Sequence, residues 1–430
     1  MSRASTAPRT PLPSRFWIFW SCLTAGSAAD GMTLIALTWA ASTVTDSALA
    51  ISLVAMAERL PWLLFALPMG AVVDRLPRIG LMATAGAARA VAMLALGGLL
   101  LTSDVSIGLL AAFALFFGTT EVAYGIAADT AVPLLAPGGV AQANGHVRAS
   151  QILSNDFVGR PLGGLLLKAG LAVPFLGNAL LNGASAGLLL ALRRRMEDPS
   201  PPSARDGSTG AQALDGLRLV RRDPLLRLLA GSAAVLNTLY AAMLAGQVLF
   251  VRESLGLGSL GYALLLSAAA VGGVAGSQYA RRLLDRLGAA RSLLTALLTM
   301  AVCFLGVGFL PTAPVVVVLY ATASAAVAFW SVSTLTLRQL AVGSHVLGRV
   351  NATFRMVTFG MSVVGMLLGG VLVEAATGPL GPEQALRVPY WLAGALYLLL
   401  LVFLKPRLTA AGSDVREEGE PDGQDTPSGR

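Results

Sequence analysis

The sequence predicts an all-α membrane protein, twelve transmembrane helices in two six-helix bundles, on three observations. Hydrophobic residues make up 55% of the 430-residue chain and charged residues 13%, with a mean hydropathy of +0.70. Soluble domains carry about 25% charge, so this chain lacks the polar residues to cover a water-exposed surface. Apolar runs of about 20 residues, the length of helix that crosses a bilayer, succeed one another with short connections and leave no room for a sizeable soluble domain. The basic residues, finally, collect in alternate connections, as an even number of spans requires.

Taken in order, residues 1–15 form a polar N-terminal segment with Arg3, Arg9 and Arg15 ahead of the first apolar run. A cleaved leader would show one short apolar core and then a small-residue cleavage site; here a second span follows directly, so the first is expected to stay as a helix. The N-terminal bundle, 16–192, is expected to hold spans at 16–42, 48–72, 79–101, 106–129, 149–168 and 171–192. The C-terminal bundle, 228–404, holds them at 228–250, 259–280, 290–310, 315–337, 353–373 and 388–404. Lipid offers the backbone no hydrogen-bond partner, which leaves helices or closed barrels, and these runs lack the alternation of barrel strands. Residues 193–227, with Arg193–Arg195 and then Pro199, Pro201 and Pro202, read as a cytoplasmic linker. Residues 405–430 end in Glu417, Glu418, Glu420, Asp422 and Asp425 and read as a disordered cytoplasmic tail.

With the N-terminus inside, 24 of the 31 lysines and arginines stand in inner segments and three, Lys168, Arg252 and Arg387, in outer ones. Arg59, Arg89, Arg160 and Arg355 remain at membrane depth. An odd number of spans would scatter this bias, so both termini are expected in the cytoplasm and the protein in the cell membrane. The same placement explains the net charge of +8 by topology and argues against nucleic acid as a partner. Arginine outnumbers lysine 29 to 2, the mark of a GC-rich coding sequence, so a bacterial source is expected. Cys22 and Cys303 both lie in apolar runs, where they read as small buried hydrophobes.

The two halves repeat a pattern. The first has Asn144, Arg148 and then Gly159-Arg160-Pro161-Leu162-Gly163-Gly164; the second has Asn351, Arg355 and then Gly365-Met366-Leu367-Leu368-Gly369-Gly370. The asparagine-to-arginine spacing is the same in both, and the distance on to the glycines differs by one residue. Glycine pairs let helices approach closely or bend, and a duplicated bundle around a central path is a known physical route to alternating access. Simple packing is the plainer reading of the same glycines.

Asp30, Glu58, Glu121 and Asp156 stand between apolar neighbours, where an ionisable group is costly unless it faces a cavity or a partner. A proton-coupled carrier needs a carboxylate whose protonation alternates with substrate occupancy. Asp30 and Glu121 are the favoured pair for coupling or for facing substrate, with structural pairing between helices as the alternative. Glu58 adjoins Arg59, and Asp156 stands four residues before Arg160, so local ion pairs account for these two as well. Arg148 and Arg355 fall near the inner ends of their spans and are expected to anchor an inner gate. Trp17 and Trp391 read as interface anchors; Trp39, Trp62, Phe113, Phe116 and Tyr124 are candidates to line an apolar cavity or simply to pack.

The connection after the second span reads Gly70-Ala71-Val72-Val73-Asp74-Arg75-Leu76-Pro77-Arg78. Gly70 permits a tight exit from the helix, Asp74 can meet the positive end of a neighbouring helix, and Arg75 and Arg78 can pair with carboxylates or lipid phosphates. Such a cluster can latch one conformation at the inner face. With it the chain resembles the major facilitator superfamily, whose inner-loop signature Gly-x-x-x-Asp-Arg-x-x-Arg is complete at Gly70, Asp74, Arg75 and Arg78. The corresponding stretch of the second half, Gly276 to Asp285-Arg286, has Ala280 where the acid would stand. Within the superfamily the chain looks like the drug-efflux branch that contains macrolide and siderophore exporters, through Ala29-Asp30, Leu60-Pro61, Glu121 and Gly159 to Gly164. The last stretch resembles the antiporter signature Gly-Pro-x-x-Gly-Gly, with Arg160 in the place of the proline and Pro161 following. The resemblance implies export of a small organic compound by proton antiport.

Other classes fit less well. No phosphate loop accompanies the two lysines, which excludes ATP-driven export within this chain. His146 and His345 stand at corresponding inner connections and make no cluster, so no enzyme, metal site or cofactor is expected. A receptor or scaffold needs neither membrane carboxylates nor a duplicated gate. The rival is a proton- or sodium-coupled importer of a small nutrient, which would favour a denser set of polar residues. Here the midplane is mostly Ala, Leu, Gly and Val, which suits a bulky, partly apolar solute. The expected partners are therefore the proton, that solute and the lipid bilayer, for a monomeric protein.

Overall fold

The computed structural model describes residues 12–102, 105–137, 139–196, 217–342 and 344–417. Among these the chain is all helix, in twelve long runs. The first half of the chain forms α1 (Ser14–Val44), α2 (Ala48–Arg75), α3 (Arg78–Thr102), α4 (Ile107–Leu135), α5 and α6 (Val173–Arg194). Helix α5 has three consecutive pieces, α-helical Val140–Ile152, π-helical Leu153–Gly159 and α-helical Arg160–Ala169. The second half forms α7 (Pro224–Ala245), α8 (Ser259–Leu287), α9 (Ala289–Phe309), α10 (Ala313–Ala341), α11 (Ser344–Leu380) and α12 (Val388–Glu417). Most of the expected linker and the acidic end of the expected tail lie outside the described residues.

Ten of these helices are long and apolar enough to cross a membrane, which makes the protein a multi-pass membrane protein. The two others are α1, interrupted at its centre by Asp30, and α5, which carries Asn144, Arg148, Gln151, Asn155, Asp156 and Arg160. Helix starts follow local chemistry. The Ser47 and Ser106 hydroxyls accept hydrogen bonds from the backbone N–H groups of Ala50 and Leu109 at the heads of α2 and α4. Asp223 caps α7 in the same way at Leu226, with Pro224 in the first helical position. Gly288, between α8 and α9, takes φ +74°, a left-handed conformation that favours glycine.

Four expectations change in detail. Helix α2 runs through Gly70 to Arg75, so Gly70 lies within the helix with nothing within 4 Å of where a β-carbon would stand, and makes no tight exit. Helix α8 likewise continues to Leu287, so Gly276 through Asp285 is helix rather than loop, and Gly276 packs against Ala325 of α10. Trp17 is 42% exposed, as an anchor must be, whereas Trp391 lays its ring on Phe309 with its indole N–H enclosed, and is a packing residue. Helix α12 extends past Leu404 to Glu417.

The glycine repeat positions the helices. A β-carbon at Gly159 or Gly163 would fall under 3.0 Å from the backbone of α1, at Ala28 and Met32; one at Gly365 or Gly369 would do the same to α7, at Thr238 and Ala242. The last glycine of each set faces the other half of the chain. Gly164 of α5 meets Ser259 and Ala263 of α8, and Gly370 of α11 meets Leu49 and Ser52 of α2. The one-residue difference in spacing between the repeats has a local cause: the π-turn of α5 lies between Arg148 and Gly159, and α11 has no such turn. A π-bulge accommodates one extra residue in a helix.

Overpacking costs about 1–3 kcal/mol or more when the neighbour is rigid backbone. Gly369→Leu is therefore expected to lower the thermal unfolding midpoint of the detergent-solubilised protein by several degrees, while Gly70→Ala leaves it unchanged or slightly raised.

Candidate functional site

Polar side chains inside the first half converge on Arg89 of α3, which is 1% exposed. Its Nη1 donates to Asp30 Oδ1 of α1 at 3.1 Å, and its Nε donates to Thr120 Oγ1 of α4 at 3.1 Å. Its guanidinium carbon stands 4.6 Å from the ring centroid of Phe117 and 5.5 Å from that of Tyr124, both on α4. Nη2 and the Tyr124 hydroxyl are buried without a hydrogen-bond partner. Gly118 explains how this site is assembled: a β-carbon there would collide with the Glu58 carbonyl oxygen, so α2 and α4 touch backbone to backbone. Glu58 is buried at this crossing, and both Glu58 and Glu121 lie in electrostatic range of Asp30. On the other side of α1, Asn178 of α6 donates to the Ala29 carbonyl at 2.9 Å and to Thr33 Oγ1 at 2.6 Å, fixing the turn that carries Asp30.

Structure and sequence agree on one ion pair and differ on two. Asp156 and Arg160 pair at 2.7 Å within α5. Glu58 and Arg59 make no direct ion pair, although the Arg59 charge lies in the field of the buried Glu58 carboxyl. Asp30 pairs with Arg89, a residue that sequence reasoning left at membrane depth without a partner. A further acid the sequence reading passed over is Asp129 of α4, which lies in the field of both Arg148 and Arg355. The backbone of Asp74 lies in the last turn of α2, but its side chain is outside the described residues, so the latch reading of Asp74, Arg75 and Arg78 has no contacts to test it.

The two halves of the chain meet at the end of the molecule where α1 turns into α2. Arg252, from the short π-helical turn Phe250–Ser254 after α7, bonds the Ser42 carbonyl and the Asp46 carboxylate. Ser47 Oγ donates to Glu374 Oε2 of α11 at 2.9 Å. Ser259 Oγ of α8 donates to the Gly164 carbonyl at 3.0 Å, and Ser267 Oγ donates to the Asp156 carbonyl at 2.7 Å. Nearer the middle, Trp62 of α2 stacks on Phe359 of α11 with centroids 5.6 Å apart. The Asp156 carbonyl belongs to the π-turn, whose Asn155 carbonyl presses on Gly31 beside Asp30. The turn thus touches α1 on one side and α8 on the other.

A cavity of about 420 Å³ opens inside the second half, walled by α7, α9, α10, α11 and α12, with Tyr240, Trp330, Arg338, Phe354, Arg355 and Phe359 among its lining residues. Of the expected cavity aromatics, Trp62 reaches it only through Phe359, and Tyr124 belongs to the Arg89 cluster. Among the described residues no group of His, Cys, Asp and Glu is arranged to hold a metal ion.

Many long apolar helices around buried charges and a cavity of small-molecule size are the architecture of a membrane transporter. The comparison of sequences names the family: the profile of the Major Facilitator Superfamily matches residues 19–363, and the chain belongs to that superfamily. It is a secondary transporter and not an enzyme. It is similar to the multidrug efflux pump Tap of Mycolicibacterium fortuitum, 28% identical over 398 residues, 89% of this chain and 94% of that protein. The multidrug efflux pump Tap of Mycobacterium tuberculosis (strain ATCC 25618 / H37Rv) is 29% identical over 377 residues, 84% of this chain and 87% of that one. Among solved structures, the nucleoside transporter NupG superposes with a TM-score of 0.76 at 11% identity, covering 91% of this chain and 98% of that one. A bacterial homologue of the iron transporter ferroportin in an inward-facing state does so with 0.71 at 16%, covering 92% and 100%. At these identities the structural likeness establishes the fold.

Removing one partner of a buried ion pair costs about 3–5 kcal/mol, because the other charge stays behind. Arg89→Leu is expected to destabilise the protein on that scale and the double variant Asp30→Asn with Arg89→Leu by less, as a double-mutant cycle of detergent unfolding would measure.

Proposed function

We propose that the protein exports a bulky, partly apolar organic compound by proton antiport with alternating access, as a member of the drug-efflux branch of its superfamily. In this reading twelve spans form two six-helix bundles, 16–192 and 228–404, with both termini in the cytoplasm. The observation that carries it is the division of chemistry between the halves: the carboxylates at membrane depth lie in the first, and a largely apolar cavity, the substrate site in this reading, lies in the second. Identity of 28% along most of the chain to a protein that bears the name multidrug efflux pump supports the branch and the direction.

Asp30 is the proton-carrying group and Glu121, with Glu58 beside it, its electrostatic partner. Protonating Asp30 removes the charge that holds Arg89, which frees α1 from α3 at that level. Gly31 passes this to the π-turn of α5, and Ser267 passes it to α8 across the boundary between halves. Asp156 stays paired with Arg160 and keeps the turn in shape. Gly159, Pro161, Gly163 and Gly164, with Gly365, Gly369 and Gly370, are the surfaces on which the halves rock. Arg252 with Asp46 closes the outer end. The inner gate falls to Asp74, Arg75, Arg78, Arg148 and Arg355, with Gly70 the point in α2 that can bend.

The test uses everted membrane vesicles with an interior-acid proton gradient and labelled amphipathic compounds of acidic, neutral and basic character. Accumulation that an uncoupler abolishes is the expected result, and Asp30→Asn or Glu121→Gln should flatten its dependence on pH while leaving the protein in the membrane. Uptake of the same compounds by right-side-out vesicles, and none by everted ones, would replace this reading with the importer.

The outer closure has its own readout. Arg252→Ala should raise several-fold the rate at which a cysteine placed at Leu260 reacts with a membrane-impermeant maleimide, against a low background from the buried Cys22 and Cys303. An unchanged rate would remove Arg252 from the closure.

A further inference from the structure

The charges of the interior are divided unequally. Asp30, Glu58, Glu121, Asp129 and Asp156 all belong to the first half of the chain. In the second half the acids among the described residues, Asp223, Glu253, Asp285, Glu374, Glu383, Asp414 and Glu417, all stand within about two turns of a helix end. The cavity there has two arginines in its lining and no carboxylate.

Arg338 of α10 spends its donors on neutral acceptors. Its Nη1 donates to Asn351 Oδ1 at 3.0 Å and its Nε to the Thr334 carbonyl at 3.2 Å, while its guanidinium carbon stands 4.2 Å from the Phe354 ring centroid. Among the described residues no acid pairs with it. Arg355, on the same wall, shares Asp129 with Arg148. A half-buried guanidinium held by an asparagine, a carbonyl and an aromatic ring is oriented, yet its charge is not neutralised. Arginine is the side chain best matched to a planar anion, which it can grip through two parallel hydrogen bonds. The rest of the wall is mostly apolar and aromatic, with Asn237, Ser331, Thr334 and Thr358 as neutral polar groups, and the volume of about 420 Å³ falls within the range of small-molecule sites.

We propose that this cavity takes an anionic amphipath, with its acid group between Arg338 and Arg355 and its ring-bearing apolar body against Trp330, Phe354 and Phe359. The inference rests on the reading of this cavity as the substrate site and adds the charge of the substrate. A cationic compound of the same shape would meet the uncompensated charge of Arg338 and find no carboxylate in the wall.

The experiment measures binding, not transport. Full-length protein in phosphatidylcholine discs is titrated calorimetrically with 1-naphthylacetic acid, its amide and 1-(1-naphthyl)ethylamine, three probes that share a ring and differ in charge, with empty discs as the blank. The acid is expected to bind at least tenfold more tightly than the amide, and the amine most weakly. Arg338→Gln should remove the advantage of the acid and leave the amide unchanged, and Arg338→Lys should retain part of it. Equal binding of acid and amide, tighter binding of the amine, or no binding by any of the three overturns the proposal, and the probe series on the native protein decides even where a variant fails to fold. Discs that contain phosphatidylglycerol separate two sources of anion: weaker apparent binding of the acid assigns the site to a lipid headgroup, and unchanged binding assigns it to a soluble compound. If the acid binds but no gradient drives its accumulation in everted vesicles, the antiport reading fails and the anion site stands. If gradient-driven export is found for other compounds while the acid gains nothing over its amide, export stands and the anion site fails.

Discussion

Where α5 crosses α1 and α11 crosses α7, the helices touch through their backbones, because a β-carbon at Gly159, Gly163, Gly365 or Gly369 would stand under 3.0 Å from the facing chain. This contact sets the geometry of the remainder. With each helix of the pair pressed onto its partner within one half, its next glycine, Gly164 or Gly370, is left to meet the other half. In a membrane, where apolar association gains little from excluding water, close packing of small residues is a main source of helix cohesion. The same run of glycines therefore holds each half together and stands where the two halves meet.

Charge is the second constraint. An ionised group at membrane depth must have a partner or a wet cavity, and the interior meets that need in different ways. Asp30 and Arg89 satisfy each other between helices, and Asp156 and Arg160 do so within one. The Arg89–Asp30 pair is further supported by Thr120, Phe117 and Tyr124, so its geometry is held from three helices. The buried Nη2 of Arg89 and the hydroxyl of Tyr124 find no hydrogen-bond partner in the protein.

Much of this was legible in the sequence, for identifiable reasons. Hydropathy marks helices because lipid forces helices, and the paired glycines mark crossings because only they allow the approach. The Asp156–Arg160 pair follows from a spacing of four residues on one helix. What escaped has a common origin in contacts between segments distant along the chain. Arg89 and Asp30 are separated by an entire hairpin of helices, and no spacing links Arg252 to Asp46 or Asp129 to Arg355. Local periodicity also misplaced the end of α2: Gly70 sits between good helix-forming neighbours and has open space around it, so nothing obliges the chain to turn there. The extra residue in the first repeat was visible as a spacing difference, but that it is absorbed as a π-turn beside Asp30 is a property of the folded helix.

One residue inserted into an unbroken α-helix would advance everything beyond it by about 100°. The π-turn of α5 takes up the extra residue instead, because each residue of the wider turn rotates the chain by less. The part of α5 that precedes the turn, with Arg148, therefore keeps nearly the phase toward its glycine face that Arg355 keeps in the uninterrupted α11. The insertion leaves the repeat in register and shows only as a local widening of one arm, at the place where the Asn155 and Asp156 carbonyls reach α1 and α8.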